Sequence, residues 1–348
     1  MSMSKRGSGA KRTLLITLCC VLAVVLAVLL VVTIVANHLL DQVQHPADTT
    51  LSSSEIEQFL NENTATGTGP TVSQEDITFG TEPTEVIENN ELINILLIGQ
   101  NADSAEKWQK SEVMILCTVN KETKTVTMTS FLRDMYVQIP GHGNNKLNVA
   151  YTIGGMKLLD QTLEENFGVK IDGNIAVNYT GFMQLVDKLG GVKIDLTPLE
   201  AHYLNTYGNW GVTHMYGNGW NLKEGENHLT GSQTMGYSMI KKLGGETART
   251  ERQRKVIAAL IERAKNMSLK ELYNVAEEAA ALISTDLTND EIMGYVAKLA
   301  PMLTDFKIVT QCIPVEGSYS YKNVSGIGEC AVIDFDANRK ALAETLKP

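Results

Sequence analysis

The sequence predicts an α/β protein: a single mixed-sheet α-β-α domain behind an N-terminal transmembrane helix and a flexible linker. The supporting observations are a long uncharged apolar run near the N-terminus, a polar stretch after it, and strand-like runs interleaved with amphipathic segments from residue 92 onward. The chain has 348 residues, of which 43% are hydrophobic and 20% charged. This length suffices for one large domain with appendages. The composition excludes a collagen-like or wholly disordered chain.

The net charge of −10 is unevenly distributed along the chain. Lys5, Arg6, Lys11 and Arg12 all precede position 13, and no acidic residue lies among them, so the remainder is more acidic than the whole. An acidic surface does not attract a phosphate backbone through its overall charge. We therefore expect no nucleic-acid partner.

Residues 13–36 are predicted to form the transmembrane helix. They contain no charged side chain, and at ~1.5 Å per residue they would span a hydrocarbon core of ~30 Å. A cleaved signal peptide is the alternative, although its apolar region is usually only ~7–15 residues long. Because basic residues precede the run and the next Lys or Arg is Lys107, residues 1–12 are predicted to be a cytoplasmic tail. The protein is thus expected in the cell membrane, single-pass, with its C-terminal domain extracellular.

Residues 37–91 are predicted to be a disordered acidic linker. This segment is rich in Thr, Ser, Asn, Glu and Asp, contains three prolines and has no Lys or Arg. Such a composition buries too little apolar area to offset the entropy lost on ordering. As a coil it would span roughly 40 Å, long enough to hold the domain away from the membrane. One short helix, at residues 54–60, is compatible with the pattern.

Residues 92–348 carry the pattern of the folded domain. The continuous apolar run INILLIG predicts a buried strand at 92–99. Further strands are predicted at 113–119, 125–132, 174–178, 192–196, 307–313 and 330–335. Helices are predicted at 156–167, 182–189, 230–240, 248–264, 269–283, 289–303 and 336–346.

The hairpin formed by the second and third predicted strands brings charged residues together. With its turn at 120–124, opposed residues should have numbers that sum to about 244 or 245. Glu112 should then lie near Arg133, and Lys110 near Asp134, because directly opposed Cβ atoms are ~5 Å apart. A pair of solvated surface ion pairs is the alternative to a functional cluster.

The helix predicted at 248–264 turns two arginines inward. Its 3.6-residue period places Arg249, Arg252 and Gln253 on the apolar face, with Arg254 and Lys255 on the opposite, solvated side. A buried arginine needs an anionic partner. The pattern alone leaves open whether that partner is a side-chain carboxylate or a bound anion. A nearby helix N-terminus would favour the bound anion.

Several motifs resemble those of the LytR-CpsA-Psr proteins of Gram-positive cell envelopes, over residues 92–346. They occur in the order expected for that family, behind its expected N-terminal anchor. The motifs are a strand ending in LLIG at Gly99, KSEVMIL at 110–116, FLRDMYVQIPG at 131–141, KLNVAYTIGG at 146–155, FMQLVDKLGGVKID at 182–195, LTGSQTMGYSMIKK at 229–242 and RTERQRKV at 249–256.

The resemblance implies a Mg²⁺-dependent phosphotransferase. It would move a glycopolymer, of the wall teichoic acid or capsular polysaccharide type, from undecaprenyl pyrophosphate to peptidoglycan. Carried over by position, Arg133 binds the pyrophosphate and Asp134 orients Arg133. Arg249 and Arg252 clamp the pyrophosphate beside Gln253. A lipid groove is expected among the helices, although core packing explains its candidate residues equally well: Leu158, Leu159, Leu163, Phe182, Met183 and Leu185.

The same resemblance assigns phosphate contacts to Lys110 and Lys241 and a Mg²⁺ ligand to Glu112, but the site departs from the family pattern. Asn101 replaces an Asp, for which Asp103 is the candidate substitute as a second Mg²⁺ ligand. Lys110 and Lys241 stand where the family has arginines, Met239 replaces another arginine, and Glu112 replaces an Asp. These changes reduce positive charge and metal ligands. The alternative is a catalytically weakened protein of the same fold that binds polyprenyl phosphates as an envelope regulator.

The sequence does not decide whether two cysteines pair or what an aromatic loop does. Cys312 and Cys330 would be able to pair in an extracellular domain, but their spacing does not require it. The aromatic loop at 203–220 contains Trp210, Tyr216 and Trp220, which would either stack on sugars or cover a small core of their own.

Overall fold

The computed structural model describes residues 40–45, 50–62, 71–80, 86–87, 89–101, 110–207, 220–299 and 306–346. The predicted cytoplasmic tail and transmembrane helix lie outside these ranges. Within them, no helix combines the length and apolarity needed to cross a membrane.

The described ranges contain thirteen strands and nine α-helices. The strands are β1 (Thr71–Val72), β2 (Leu92–Gln100), β3 (Ser111–Asn120), β4 (Thr125–Phe131), β5 (Tyr136–Ile139), β6 (Gly143–Lys146), β7 (Gly173–Asn178), β8 (Val192–Leu196), β9 (Gly225–Leu229), β10 (Ile283–Thr285), β11 (Lys307–Ile313), β12 (Tyr319–Val324) and β13 (Gly328–Ile333). The helices are α1 (Ser53–Glu62), α2 (Leu147–Phe167), α3 (Tyr179–Lys188), α4 (Pro198–Tyr207), α5 (Gly231–Met239), α6 (Gly245–Lys265), α7 (Leu269–Ala280), α8 (Asn289–Leu299) and α9 (Phe335–Leu346).

A six-stranded mixed sheet lies at the centre, in the order β10-β7-β2-β3-β4-β11. The pairs β2–β7 and β4–β11 are parallel, and the other three pairs are antiparallel. One face of the sheet packs on α2 and α9, and the other on α6 and α8. Alternate residues of β2 and β3 point into these two cores, as the period of a strand requires. The predicted α-β-α arrangement around one mixed sheet is therefore confirmed.

The hairpin register is the one that the sequence predicts. Ile115 lies opposite Ser130 and Asn120 opposite Thr125, so that opposed residue numbers sum to 245. This register brings the start of β3 beside the residues that follow β4. The hairpin therefore determines where the candidate charged residues meet.

The prediction of a disordered linker over 37–91 is wrong for the described part of that segment. Helix α1 places Phe59, only 1% exposed, in the main core, and β1 pairs in parallel with β12. Ser52 directly precedes the helix, and its hydroxyl donates a hydrogen bond to Glu55 over 2.9 Å. The composition of segment 37–91 is polar on average. A few apolar side chains are nevertheless enough to order part of it, because they pack into a core formed by the rest of the chain.

A smaller layer covers the outer side of α6. Strands β8 and β9 form an antiparallel pair, and together with α3, α4 and α5 they enclose a second apolar cluster that reaches Val256 of α6. The first half of α6 is thus enclosed between this layer and the central sheet. Trp220 packs on the same cluster, whereas Trp210 and Tyr216 lie outside the described residues.

Most predicted elements lie where the sequence places them. Within α2 the chain kinks at Gly154 and Gly155, whose φ and ψ angles are not helical, and the segment after the kink matches the helix predicted at 156–167. Helix α4 and the strands β1, β5, β6, β9, β10 and β12 were not predicted. The thiols of Cys312 and Cys330 are both free, so no disulfide joins them.

Candidate functional site

The candidate site lies where β3 begins, β4 ends and α6 starts. Arg133 is the second residue after β4, and its guanidinium forms an ion pair with Glu112 at the start of β3. Gly244 caps α6 with a φ of 97°, and a Cβ there would lie 2.6 Å from that of Ala248. This glycine lets the chain turn sharply into the helix, so that the first turn of α6 faces the end of the hairpin.

Glu246, in the first turn of α6, is the centre of the charged cluster. Its Oε1 lies 2.7 Å from Lys241 Nζ and 3.5 Å from Arg133 Nη2, and its Oε2 lies 2.7 Å from Arg249 Nη2. The Glu246 side chain is 5% exposed. Burial alone would raise the pKa of its carboxyl, but Arg249, Lys241 and Arg133 together hold that pKa below its usual range. Three predicted site residues therefore converge on one carboxylate that the sequence analysis missed.

The polar atoms of this cluster are incompletely satisfied. Arg249 Nε is buried without a hydrogen-bond partner, whereas the two carboxylate oxygens of Glu246 lie 2.7 Å from Lys241 Nζ and from Arg249 Nη2. Burial, followed by the neighbouring Arg133, lowers the pKa of Arg249. Clustered cations that share one carboxylate can accept a polyanion with several oxygens.

Arg252 is placed differently from its prediction as a pyrophosphate clamp. Its Nε donates to Glu200 Oε1 over 2.7 Å, Nη1 to the Ile240 carbonyl over 2.9 Å and Nη2 to the Leu243 carbonyl over 2.8 Å. Every nitrogen of this buried guanidinium has an internal partner. The structure thus corrects the assignment: Arg252 joins α6 to α4 and to the chain before α6.

The predicted solvent exposure of Arg254 is wrong. Arg254 is buried and donates from Nη1 to Ser130 Oγ over 2.7 Å, while Lys255 lies on the surface. Gln253 is buried as predicted, and its amide lies 3.4 Å from the Ser238 carbonyl. Helix α6 buries more than one face because it lies between the sheet and the β8–β9 layer.

Asp134 does not orient Arg133 in the predicted way, since Glu112 and Glu246 form the ion pairs with that guanidinium. Instead, the carboxyl of Asp134 interacts with the hydroxyl of Tyr321, and its Oδ1 is buried without a hydrogen-bond partner. Burial and the charge of Glu246 raise the pKa of Asp134, despite the opposing influence of Tyr321 and Arg133. The site therefore contains one carboxylate oxygen available to a ligand.

Lys110 extends the positive charge on the hairpin side. Burial, and then the charges of Lys146 and Arg133, lower the pKa of Lys110. Its backbone pairs with Asn101, whose Oδ1 accepts from Lys110 N over 3.0 Å. The Lys110 Nζ also lies 5.3 Å from the ring centroid of Phe59, so α1 contributes to the site. The predicted ligand Asp103 lies outside the described residues.

An apolar cavity of about 180 Å³ adjoins the charged cluster. It lies between the sheet and helices α3, α5 and α6, and Gln253, Met239 and Tyr179 are among its lining residues. Gln253, which lines the cavity, lies one helical turn after Arg249 on α6, so this helix leads from the cationic cluster to the cavity. Of the candidate groove residues, Phe182 and Leu185 line this cavity. Leu158, Leu159 and Leu163 belong to the main core, and Met183 packs on Met235.

The arrangement fits Mg²⁺ only if phosphate oxygens complete its coordination. The described part of the chain contains no group of three His, Cys, Asp or Glu residues suited to a metal ion. Mg²⁺ is often held by one or two carboxylates together with substrate phosphates. Asp134 Oδ1 offers one such oxygen, whereas the carboxylate of Glu112 is paired with Arg133.

A cationic cluster beside an apolar cavity, in a mixed α/β domain, defines a class of protein suited to a ligand with an anionic head and an apolar tail. The chain belongs to the LytR_cpsA_psr family, whose sequence profile matches residues 48–337. The family prediction is therefore confirmed. The match begins well before residue 92, in agreement with the folded segment that contains α1 and β1.

The relatives include both transferases and a regulator by name. The polyisoprenyl-teichoic acid–peptidoglycan teichoic acid transferase TagU of Oceanobacillus iheyensis is 31% identical, over 74% of this chain and 77% of that protein. The regulatory protein MsrR of Staphylococcus aureus is 27% identical, over 75% and 76% of the two chains. The structure of Bacillus subtilis YwtF (TagT) with bound octaprenyl pyrophosphate lipid has a TM-score of 0.55 and 23% identity, over 78% and 98% of the two chains, which shows a common fold.

Proposed function

We propose that this protein is a phosphotransferase that moves a glycopolymer from undecaprenyl pyrophosphate to peptidoglycan. The observation that carries the proposal is the convergence of Arg133, Arg249 and Lys241 on Glu246, directly beside an apolar cavity. A pyrophosphate attached to a long apolar chain requires this combination of neighbouring environments. The relative TagU is named for the same reaction class.

Different residues bind the pyrophosphate and the lipid chain. Arg133 and Arg249 bind the pyrophosphate oxygens, and Lys241, 57% exposed, closes the cluster from the solvent side. The apolar cavity binds part of the lipid chain. A hydroxyl of the acceptor then attacks the phosphorus that carries the glycopolymer. The bond to the lipid-side phosphate breaks, and undecaprenyl phosphate leaves.

Mg²⁺ is part of this proposal. Asp134 and Glu112 would hold the ion together with phosphate oxygens, provided that Glu112 gives up part of its contact with Arg133. When bound, the ion neutralises negative charge that develops on the phosphates. Arg133 retains Glu246 as a second carboxylate partner, so it stays at the site.

An envelope regulator that binds polyprenyl phosphates without catalysis is the second candidate. The substitutions Lys110, Met239 and Lys241, each at a position where the family resemblance implies arginine, favour it. The relative named MsrR is called a regulatory protein. If the missing guanidinium groups would have bound the transition state more strongly than the bound lipid, their loss lowers turnover more than it lowers lipid affinity.

The two functions are separated by assaying the full chain in detergent with a lipid-pyrophosphate glycan, peptidoglycan oligomers and Mg²⁺. The transferase is supported if undecaprenyl phosphate is released and polymer becomes attached to peptidoglycan. Arg249→Ala should then abolish most turnover, and Lys255→Ala, on the exposed side of the same helix, should not. Tight lipid binding by the wild type without any release would contradict transfer and support the regulator.

We further propose that residues 13–36 anchor the protein in the cell membrane with residues 1–12 in the cytoplasm. The charge asymmetry around the apolar run supports this orientation. In intact cells whose wall has been removed, external protease should digest the domain after residue 37. Protection of that domain would contradict the proposed topology.

A further inference from the structure

Strand β12 brings two tyrosines to the edge of the charged cluster. Tyr319 and Tyr321 are two residues apart and therefore lie on the same face of the strand. Tyr321 lies opposite Ala331 of β13, and Ala331 N donates to the Asp134 carbonyl over 2.9 Å. One strand pair thus places Tyr321 beside the residue that follows Arg133.

Each tyrosine contacts a different side of the site. The Tyr321 hydroxyl interacts with the Asp134 carboxyl, on the hairpin side. The Tyr319 hydroxyl lies 3.0 Å from Thr247 Oγ1, next to Glu246 at the start of α6. Their rings meet edge to face, with centroids 6.0 Å apart. The pair therefore spans the boundary between the two elements that position the cations.

Packing does not account for the ring of Tyr321. Its side chain is one of the few large apolar ones on the described surface, and the residue is 41% exposed. Tyr319 is partly buried against the main core and supports its neighbour from one side. A partly exposed tyrosine ring whose hydroxyl is near a carboxyl presents an apolar face and a polar edge.

We propose that Tyr319 and Tyr321 form a saccharide subsite that seats a sugar ring beside the phosphate to be transferred. Sugar rings have apolar C–H faces that stack on aromatic rings and hydroxyl edges that form hydrogen bonds with polar groups such as a tyrosine hydroxyl. The inference rests on the proposed function, in which a sugar-bearing phosphate and a sugar hydroxyl meet at this cluster. The sugar belongs either to the donor glycopolymer or to the acceptor glycan.

A sugar seated here would contribute to the reaction through orientation. Attack on phosphorus requires the reacting hydroxyl and phosphate to be held close and in line. The cations fix the phosphate, and the tyrosine pair would fix a ring attached to one of the reactants. Tyr321 is in this sense a positioning residue.

The test compares Tyr321→Ala with Tyr321→Phe in the full chain. Phenylalanine retains the stacking ring but loses the hydroxyl that interacts with Asp134. Three probes are titrated: a sugar-free polyprenyl pyrophosphate, a glycan-bearing pyrophosphate lipid, and peptidoglycan oligomers without lipid. Leu199→Ala, which removes an exposed apolar side chain from α4, serves as the control for general surface effects.

We expect Tyr321→Ala to lower the affinity for at least one sugar-bearing probe about tenfold and to leave the affinity for the sugar-free lipid unchanged. Tyr321→Phe should retain most of that affinity, and Leu199→Ala should retain all of it. A loss confined to the lipid glycan assigns the donor sugar, and a loss confined to the oligomers assigns the acceptor. Equal affinity of Tyr321→Ala and wild type for both sugar probes, or equal losses in the Ala and Phe variants, would overturn the subsite. Failure of the wild type to bind the sugar-free lipid would instead contradict the proposed function.

Discussion

Arg249 and Arg252 lie one turn apart on α6, both are buried, and both form an ion pair with a buried glutamate. Their surroundings nevertheless differ in one respect. The guanidinium of Arg252 has an internal acceptor for each of its nitrogens. Arg249 Nε, in contrast, is buried without a hydrogen-bond partner, and Arg249 shares the Glu246 carboxylate with Lys241 and with Arg133, which also pairs with Glu112.

The buried ion pairs of α6 differ in whether their polar atoms are all satisfied within the protein. A buried pair whose polar atoms are all satisfied fixes the packing of two elements, and it has no capacity left for a ligand. A buried arginine with an unsatisfied donor carries a desolvation cost, and an anion that accepts a hydrogen bond from that donor relieves the cost. We therefore assign the Arg252 region to the fold and propose the Arg249 region as part of the ligand site.

The largest effect on stability is expected from breaking the satisfied pair. Arg252→Met should lower the free energy of unfolding by about 3–5 kcal/mol, because Glu200 is left as a buried charge without its partner. Denaturant midpoints measure this change. Lys255→Ala removes an exposed pair with Glu251 and should cost only about 0–1 kcal/mol. A loss below about 1 kcal/mol for Arg252→Met would mean that the two regions do not differ in this way.

The opposite result is expected from Arg249. Titration with inorganic pyrophosphate should show that Arg249→Ala weakens binding about 10- to 100-fold, since one or two charge-assisted hydrogen bonds are lost. Stability should change less than in Arg252→Met, because Glu246 retains Lys241 and Arg133 as partners. Arg249→Lys should give an intermediate affinity, as lysine retains the charge but not the planar fork. Unchanged affinity in Arg249→Ala would remove this arginine from the site.

The sequence predicted local and periodic features better than features that depend on distant packing. The β3–β4 register follows from a short turn between apolar runs, so the meeting of Glu112 and Arg133 was predictable. Glu246 was missed because it precedes the apolar stripe of the helix, directly after two glycines. Tyr321 was missed because β12 lacks the apolar pattern of a strand.

Burial around α6 shows the limit of helical periodicity. The period identifies one apolar face, and on that basis Arg249 was correctly predicted to point inward. It cannot show that a second layer, formed by β8, β9 and their helices, covers another side of the same helix. Arg254 was misassigned for that reason. Similarly, the period cannot reveal that backbone carbonyls of Ile240 and Leu243 would satisfy Arg252.

The pH dependence of the two glutamates provides a smaller contrast. Internal partners hold the pKa of both Glu200 and Glu246 below the usual range, although burial alone would raise each of them. A depressed folded-state pKa adds stability above the unfolded value of ~4.3 and loses it as the pH falls through the folded value. Glu200→Gln and Glu246→Gln should therefore both flatten the decline in unfolding free energy below about pH 4.3.

Only one of these two variants should alter anion binding. Glu246→Gln releases Arg133, Arg249 and Lys241 from their shared carboxylate, so pyrophosphate should bind more tightly at neutral pH. Glu200→Gln should leave that affinity unchanged. Equal affinities in the two variants would show that Glu246 does not compete with the ligand.

Among the three buried arginines of α6, Arg254 is expected to have the smallest effect on stability. Its hydrogen-bond partners in the described structure are Ser130 and the Cys312 thiol, and its Nε has none. Arg254→Met removes a buried charge that has few partners and retains most of the side-chain volume. The desolvation cost that is relieved should balance the lost hydrogen bond to Ser130, so the free energy of unfolding should change by no more than about 1 kcal/mol. Denaturant midpoints of Arg254→Met and Arg252→Met, measured side by side, test this difference. If Arg254→Met loses as much stability as Arg252→Met, the number of satisfied donors does not determine the stabilising effect of an arginine in this helix.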